Sequence, residues 1–421
     1  MVALATCVYF LCIDEPLNPQ VPTLVETVRS EVTLEDNGMV YLLGMWIASD
    51  ESPYDVGLKR IRKSKLMVGK LDSKQFEPLE DSNSEIWLTE LGDGEGVSEL
   101  TCHYLQNDCL RSIWNRTDEI PELIETYRLY LDRLEQLMGY EKFSPPIEPS
   151  LSKPIASHGS LIFSAKLKLL EVIYFSKNGE ISRASSELAE LIKLNVNLLK
   201  NSPNVMTKVI ASVQHELTME VAAFLFSKTS NSSIKYWETA LTESSKLEPS
   251  MMSLKRPLAI EFVAIINSFR DELGAETIGN HGQKSYTFSL AYKPNMTTNL
   301  LYEVYLDSFD FYTWNDGMIV SQRIKPARRE LPEIQYTNYV GSLLARTAIA
   351  RYLDLEDHFL EVYFRSVVLK QSFEFRHSGI ANDSTGVTLF SPYSGKHAYF
   401  KDELLCVDNS TESQEPLCFY Y

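Results

Sequence analysis

The chain has 421 residues, of which 44% are hydrophobic and 11% aromatic. That is enough apolar material to fill the cores of roughly two or three domains, and it excludes a wholly disordered protein. The formal net charge of −17 argues against nucleic-acid partners and anionic lipid surfaces, both of which repel a uniformly acidic protein.

Gly and Pro number only 18 each, so breakers are sparse and long helices are expected rather than a turn-rich all-β fold. The chain opens on Val2 to Cys12, a run without charge. It is shorter than the ~20 apolar residues that span a bilayer, and it has no basic flank of the kind a signal peptide carries. Two readings stand for residues 1–12: the outer part of a truncated membrane anchor, which would attach the chain to an inner membrane, or a buried terminal element. Residues 20–70 read as helical, with Pro53 suited to a first helical turn. Lys59, Arg60, Arg62, Lys63 and Lys65 then crowd one stretch. They form either a patch for an anionic partner or, more simply, a solvated helix face.

Residues 72–117 are acidic and irregular. The Gly92-Asp93-Gly94-Glu95-Gly96 stretch lacks the fixed acidic positions of an EF-hand and reads as a loop. Between residues 119 and 141, Ile120, Leu123, Ile124, Tyr127, Leu131, Leu134 and Met138 recur at three- and four-residue steps. This predicts one amphipathic helix with Pro121 in its first turn. The prolines at 145, 146, 149 and 154 predict a linker over 144–155.

Helices are expected near 159–176, 181–200, 203–227, 232–246 and 254–273, separated by tight turns that make sequential helices neighbours. No consensus recurs, so the arrangement predicted is an irregular helical array of hairpins. A loop over 275–295 precedes helices near 296–312, 338–353 and 356–371. A second basic segment, Arg323, Lys325, Arg328 and Arg329, lies between them. The tail changes character. Val387 to Phe390, Ala398 to Phe400 and Leu404 to Val407 read as short strands. The fold class expected is therefore mainly α with a small β-rich C-terminal segment. The domain organisation expected is an apolar segment at 1–12, an N-terminal helical domain at 13–143, the linker at 144–155, the array at 156–275 and a C-terminal domain at 276–421.

The search for chemistry returns little. Neither the Gly-x4-Gly-Lys loop nor the Gly-x-Gly-x-x-Gly turn occurs, and there is no Gly-x-Ser-x-Gly elbow. His215-Glu216 begins like a zincin, but position 219 is Met where the second imidazole is required. The seven histidines are scattered, and Ser160 beside His158 reads as a helix start. The aromatics Tyr302, Tyr305, Phe309, Phe311, Tyr312 and Trp314 read as core rather than as a cofactor pocket. No catalytic, cofactor-binding or metal-binding residues are assigned, and no cofactor is expected. The six cysteines fall into close pairs, Cys7/Cys12, Cys102/Cys109 and Cys406/Cys418. Local disulfides, free thiols and a zinc site all remain open, with the spacing least suited to zinc.

Several short motifs together resemble a known group. They are Asn37 with Tyr41-Leu42-Leu43-Gly44-Met45, Ser52-Pro53-Tyr54-Asp55-Val56-Gly57, Cys102 with Asp108-Cys109, Tyr127 to Tyr130, Asn338 to Leu344, and Ser391 to Lys396. They resemble uncharacterised gammaproteobacterial proteins that carry an N-terminal membrane anchor and a helical periplasmic body. The resemblance implies a cell-envelope location on the periplasmic side of the inner membrane, and it favours a Cys102–Cys109 disulfide. It offers no catalytic residues. The function expected is a non-enzymatic periplasmic scaffold or assembly factor that binds another envelope protein. The alternatives are an envelope hydrolase built on carboxylates and a helical module that takes peptide or lipid in a groove.

Overall fold

The computed structural model of the chain describes residues 14–46, 51–68, 107–150, 154–156, 158–230, 233–273, 292–306, 313–315, 318–320, 336–348, 353–377, 399–401, 404–407 and 417–420. Among them helices dominate, and the chain is mainly α. The stretch read as helical over 20–70 divides into α1 (Gln20–Ser30), α2 (Gly38–Gly44) and α3 (Pro53–Val68). Asn37 starts α2 by accepting from Met39 N–H at 3.0 Å, the usual N-cap arrangement. Helices α2 and α3 cross almost backbone to backbone. A Cβ on Gly57 would overlap the Val40 carbonyl, and one on Gly44 would overlap the Pro53 carbonyl. The end of α2 is closed by two guanidinium groups: Arg60 donates to Leu43 O at 2.7 Å and Arg133 to Met45 O at 2.6 Å.

The single helix expected over 119–141 is instead two. After α4 (Asn107–Asn115), a 3-10 turn leads into α5 (Ile120–Thr126) and then α6 (Arg128–Met138). Tyr127 leaves helical geometry at φ −109°, ψ 22°. There its ring packs edge-on against Phe163, with centroids 5.1 Å apart, so tertiary packing overrides a continuous periodicity.

The proline-rich stretch is also not a solvated tether over its described part. Phe143, Ser144, Pro145, Ile147 and Pro149 are buried. Thr33 N–H donates to Pro145 O, and Asn267 donates to Pro149 O. Prolines suit this role because they cross a packed surface without leaving backbone donors to satisfy.

The body is built on α7 (His158–Lys177), α8 (Ile181–Asn201) and α9 (Val205–Lys228). Gly179 takes φ +83° in the α7–α8 turn, a left-handed conformation that glycine adopts without penalty. Helix α9 is buried on nearly every side. It is long and apolar enough to cross a membrane, but 78% of its apolar window is covered by the rest of the chain, which fits a central core helix. A 3-10 turn at Ile234–Trp237, α10 (Glu238–Ser244) and α11 (Lys255–Leu273) follow. Then come α12 (Pro294–Leu306), α13 (Tyr339–Ala348) and α14 (Leu353–His377). The Asp14 carboxylate caps α12 by accepting from Asn295 and Met296 N–H at 2.7 and 3.0 Å. One hydrophobic core runs through the described chain from Val21 to Phe373.

The remaining ordered pieces are short. Strands β1 (Thr313–Asn315) and β2 (Met318–Val320) pair, as do β3 (Tyr399–Lys401), β4 (Leu404–Val407) and β5 (Leu417–Tyr420), all antiparallel. Strands of three or four residues do not form a second layer, and the expected strand at 387–390 lies outside the described residues.

Candidate apolar binding site

A cavity of about 580 Å³ lies where the proline-rich segment meets the starts of α7 and α9 and one face of α11. This is within the range of ligand pockets, ~300–1,000 Å³. Met39 and Leu43 of α2 form one wall, and Pro145, Ile147 and Pro149 another. Helix α11 contributes Ile260, Glu261, Ala264 and Ile265, which form one face because 260 and 264, and 261 and 265, are each one turn apart. Tyr305 of α12 and Leu344 of α13 complete the far side.

The cavity's mouth is apolar as well. Ile155 and Met206 both line it, and they are 76% and 56% exposed, the two most exposed large hydrophobic residues among those described. Leu343, beside the lining residue Leu344, and Tyr339 on α13 are also exposed. An exposed apolar rim around an apolar cavity is the usual mark of an interaction site.

The few polar groups at the cavity are engaged. His158 Nε2 lies 3.2 Å from Thr207 Oγ1, and burial pushes the imidazole below its ordinary pKa, which favours the neutral ring. Asn204 caps α9 by accepting from Thr207 N–H at 2.8 Å. Glu261 accepts from Val205 N–H at 3.0 Å. A helix start ordinarily attracts an anion; here a carboxylate of the chain itself already occupies it.

Carboxylates do converge elsewhere, but each group surrounds a cation. Glu135 of α6, Glu171 of α7 and Glu187 of α8 offer oxygens within 4.8 Å of one another, a spacing that suits a metal ion. The buried Lys168 ammonium sits among them, 2.8, 2.8 and 2.5 Å from the three. Burial opposes its charge, yet the three hydrogen bonds outweigh that and hold the amine above its ordinary pKa. On α14, Arg365 grips Glu216 at 3.3 Å, Glu361 at 2.8 Å, and Glu220. Burial, reinforced by Glu216 and Glu361 and only partly offset by Arg365, pushes the Glu220 carboxyl up to about 7. These are ion clusters in which one cation is shared among three carboxylates and fastens helices together.

His215 Nε2 lies 2.7 Å from Ser366 Oγ, a spacing that would suit a base and its nucleophile. Both are buried among the described residues, His215 completely. The expected basic patch is only partly assembled. Lys59, Arg62 and Lys63 are exposed on α3, but Lys59 pairs with Glu51 at 3.3 Å and Arg60 caps α2; the Lys65 side chain lies outside the described residues. Of the aromatics read as core, Tyr302 and Tyr305 pack on Phe262, but Tyr305 also lines the cavity, and Phe309, Phe311 and Tyr312 lie outside the described residues. Cys406 and Cys418 stand opposite each other in the β4–β5 register, and Cys109 is buried in α4. Cys7, Cys12 and Cys102, the loop at 275–291 and the basic segment at 323–329 lie outside the described residues.

No protein-family model, curated relative or solved structure matches the chain.

Proposed function

We propose that the chain is a non-enzymatic binding protein that takes an apolar segment of a partner protein into the cavity between α9, α11 and the proline-rich segment. The observation that carries this reading is the pairing of an apolar cavity with an exposed rim at Ile155 and Met206. A lipid tail would fill the cavity and leave that rim wet. A protein segment with an apolar face covers both, so a macromolecular occupant recovers more buried apolar area.

The wider setting is part of the same proposal. The sequence resemblance to periplasmic helical proteins supports an envelope location and a partner in that compartment. A Cys406–Cys418 disulfide is supported by the β4–β5 register. Directly opposed residues in antiparallel strands have Cα atoms ~4.5–5.5 Å apart, within the span a disulfide bridges. That bond would tie together a small β-rich terminal segment. Thiol titration of denatured, unreduced protein should find both sulfurs blocked; two reactive thiols at these positions would remove the disulfide.

The binding reading is tested with Nile red, a neutral apolar dye. The full chain should show a saturable, blue-shifted signal. Met206→Gln at the rim and Ala264→Trp in the wall should abolish it while the thermal midpoint of Met206→Gln stays at the wild-type value. A dye signal indifferent to both substitutions would sink the proposal.

A further inference from the structure

We propose that Met206 is a reversible modification site: oxidation of its thioether to the sulfoxide turns the apolar site off, and reduction turns it on again. The chemistry of the step stands by itself, and its effect on binding rests on the binding reading above.

Exposure selects this sulfur. Met206 is 56% exposed at the mouth of the cavity. Among the described methionine side chains, Met39, Met45, Met138, Met219 and Met252 are buried, and Met251 and Met296 are partly covered. Met39 lines the same cavity but is only 4% exposed. Oxidants arrive from solvent, so the rim sulfur is attacked before the wall sulfur.

Position makes the change consequential. Met206 shares the mouth with the exposed Ile155. Its thioether is an apolar, polarisable contact, whereas the sulfoxide is polar and carries a strong hydrogen-bond acceptor. An apolar occupant then has to strip water from that oxygen without replacing its hydrogen bonds.

The fold does not use that side chain. Asn204 accepts from Thr207 N–H at 2.8 Å, Glu261 accepts from Val205 N–H at 3.0 Å, and the Lys208 ammonium donates to Leu199 O at 2.8 Å. These three bonds hold the first turn of α9 without the Met206 sulfur. Oxidation there alters the rim and leaves the helix start in place. Oxidation of a core methionine would instead put a polar group into packed surroundings and damage the fold.

The step balances with a peroxide as the oxidant. The sulfur lone pair attacks one peroxide oxygen, and the S–O bond forms as the O–O bond breaks. The displaced hydroxide takes the proton from the transferred oxygen and leaves as water. Sulfur is oxidised and the peroxide is reduced by the same electron pair. A dithiol reductant reverses the change: the sulfoxide oxygen leaves as water and the two thiols become a disulfide.

The test treats the full chain with hydrogen peroxide, removes the excess with catalase, and follows oxygen gain at each methionine by peptide mass spectrometry. Met206 should be oxidised before Met39 and the other buried methionines. At that stage Nile red affinity should fall at least about tenfold with the thermal midpoint unchanged, and methionine sulfoxide reductase should restore it. Met206→Leu keeps an apolar rim that peroxide does not attack, so its dye signal should survive the same treatment. Oxidation of Met39 ahead of Met206 would overturn the proposal. So would dye binding that persists with Met206 oxidised, or a Met206→Leu variant that loses its signal as the wild type does. A chain with no saturable dye signal before oxidation would remove the binding reading and the switch with it, and the order of oxidation would still decide whether Met206 is the reactive sulfur.

Discussion

Lys168 Nζ lies 2.8 Å from Glu171 Oε2, one turn further along the same helix, and both side chains are almost fully buried. The ammonium also reaches Glu135 on α6 and Glu187 on α8, so one lysine joins three helices. Its removal leaves three carboxylates facing one another, with only the half-exposed Arg128 nearby, 4.0 Å from Glu171. Lys168→Met is expected to cost about 3–5 kcal/mol in urea denaturation, the usual penalty for breaking a buried ion cluster from one side. Adding Glu171→Gln to Lys168→Met should recover part of that loss by removing the most buried of the three negative charges. A double variant no more stable than the single one would show that the cluster is not the source of the cost.

Two buried groups on α9 give pH dependences of opposite sign. The Glu220 carboxyl is raised from 4.5 to about 7 in the folded protein, chiefly by burial. The folded chain therefore holds a proton there that the unfolded chain has lost, and stability falls as pH rises from about 4.5 to about 7. His215 is lowered from 6.5 to about 4 by burial. The unfolded chain gains that proton first, so stability falls as pH drops from about 6.5 to about 4. The two slopes partly cancel in the wild type, and single variants separate them. Glu220→Gln should gain stability over the wild type at pH 7, on the order of 3 kcal/mol, and little at pH 4.5. His215→Gln should flatten the acid side instead. Chemical denaturation at half-unit pH steps measures both curves, and an unchanged pH 7 stability in Glu220→Gln would refute the assignment.

The α2–α3 crossing predicts a sharp contrast among glycines. Gly57→Ala drives a methyl into the Val40 carbonyl, and Gly44→Ala drives one into the Pro53 carbonyl. The obstruction in each case is backbone, which does not swing aside, so losses of about 2–3 kcal/mol or more are expected. Gly159→Ala is the control. Nothing lies within 4 Å of its added methyl, and the residue sits in the first turn of α7. Alanine there should be neutral or stabilising by about 0.5–1 kcal/mol. Thermal midpoints of the three variants decide the matter.

How much of this was legible in the sequence depends on where each signal resides. The boundaries between helices α7, α8 and α9 were legible from their breakers, because Asn178-Gly179 and Asn201-Ser202-Pro203 punctuate the chain whatever the burial pattern. The break at Tyr127 was not legible, since its cause is the Phe163 ring 36 positions away. Lys168 gave a faint signal: it interrupts Leu167, Leu169 and Leu170, where a solvated lysine is out of place. Its partners Glu135 and Glu187 are remote in sequence and carry none. The cavity was missed for a more specific reason. Its proline-rich wall has the composition of a tether, and composition does not reveal that Ile147 and Pro149 are buried or that Pro149 O accepts from Asn267 of α11. The alternation of apolar residues with those prolines, Ile147 and Ile155 included, was the available clue.

Asn37 offers the last test, because its side chain is buried and every hydrogen-bonding position on it is used. Oδ1 accepts from Met39 N–H at 3.0 Å and Ser144 N–H at 3.2 Å. Nδ2 donates to Thr33 O at 2.7 Å and Ser144 O at 2.9 Å. The residue therefore caps α2 and fixes the proline-rich wall of the cavity through the same amide. Asn37→Ala leaves buried backbone groups without partners, at about 1–3 kcal/mol for each one left unsatisfied, so a total loss above about 3 kcal/mol is expected. Asn37→Asp keeps both acceptor roles but replaces two donated hydrogen bonds with a buried charge facing two carbonyls. It should therefore be no better than alanine, although aspartate is as good an N-cap as asparagine in an exposed helix. If Asn37→Asp retains wild-type stability, the amide is acting only as a cap and the wall is held by other contacts. If both variants also lose the Nile red signal at temperatures where they remain folded, the link from this one amide to the cavity is established.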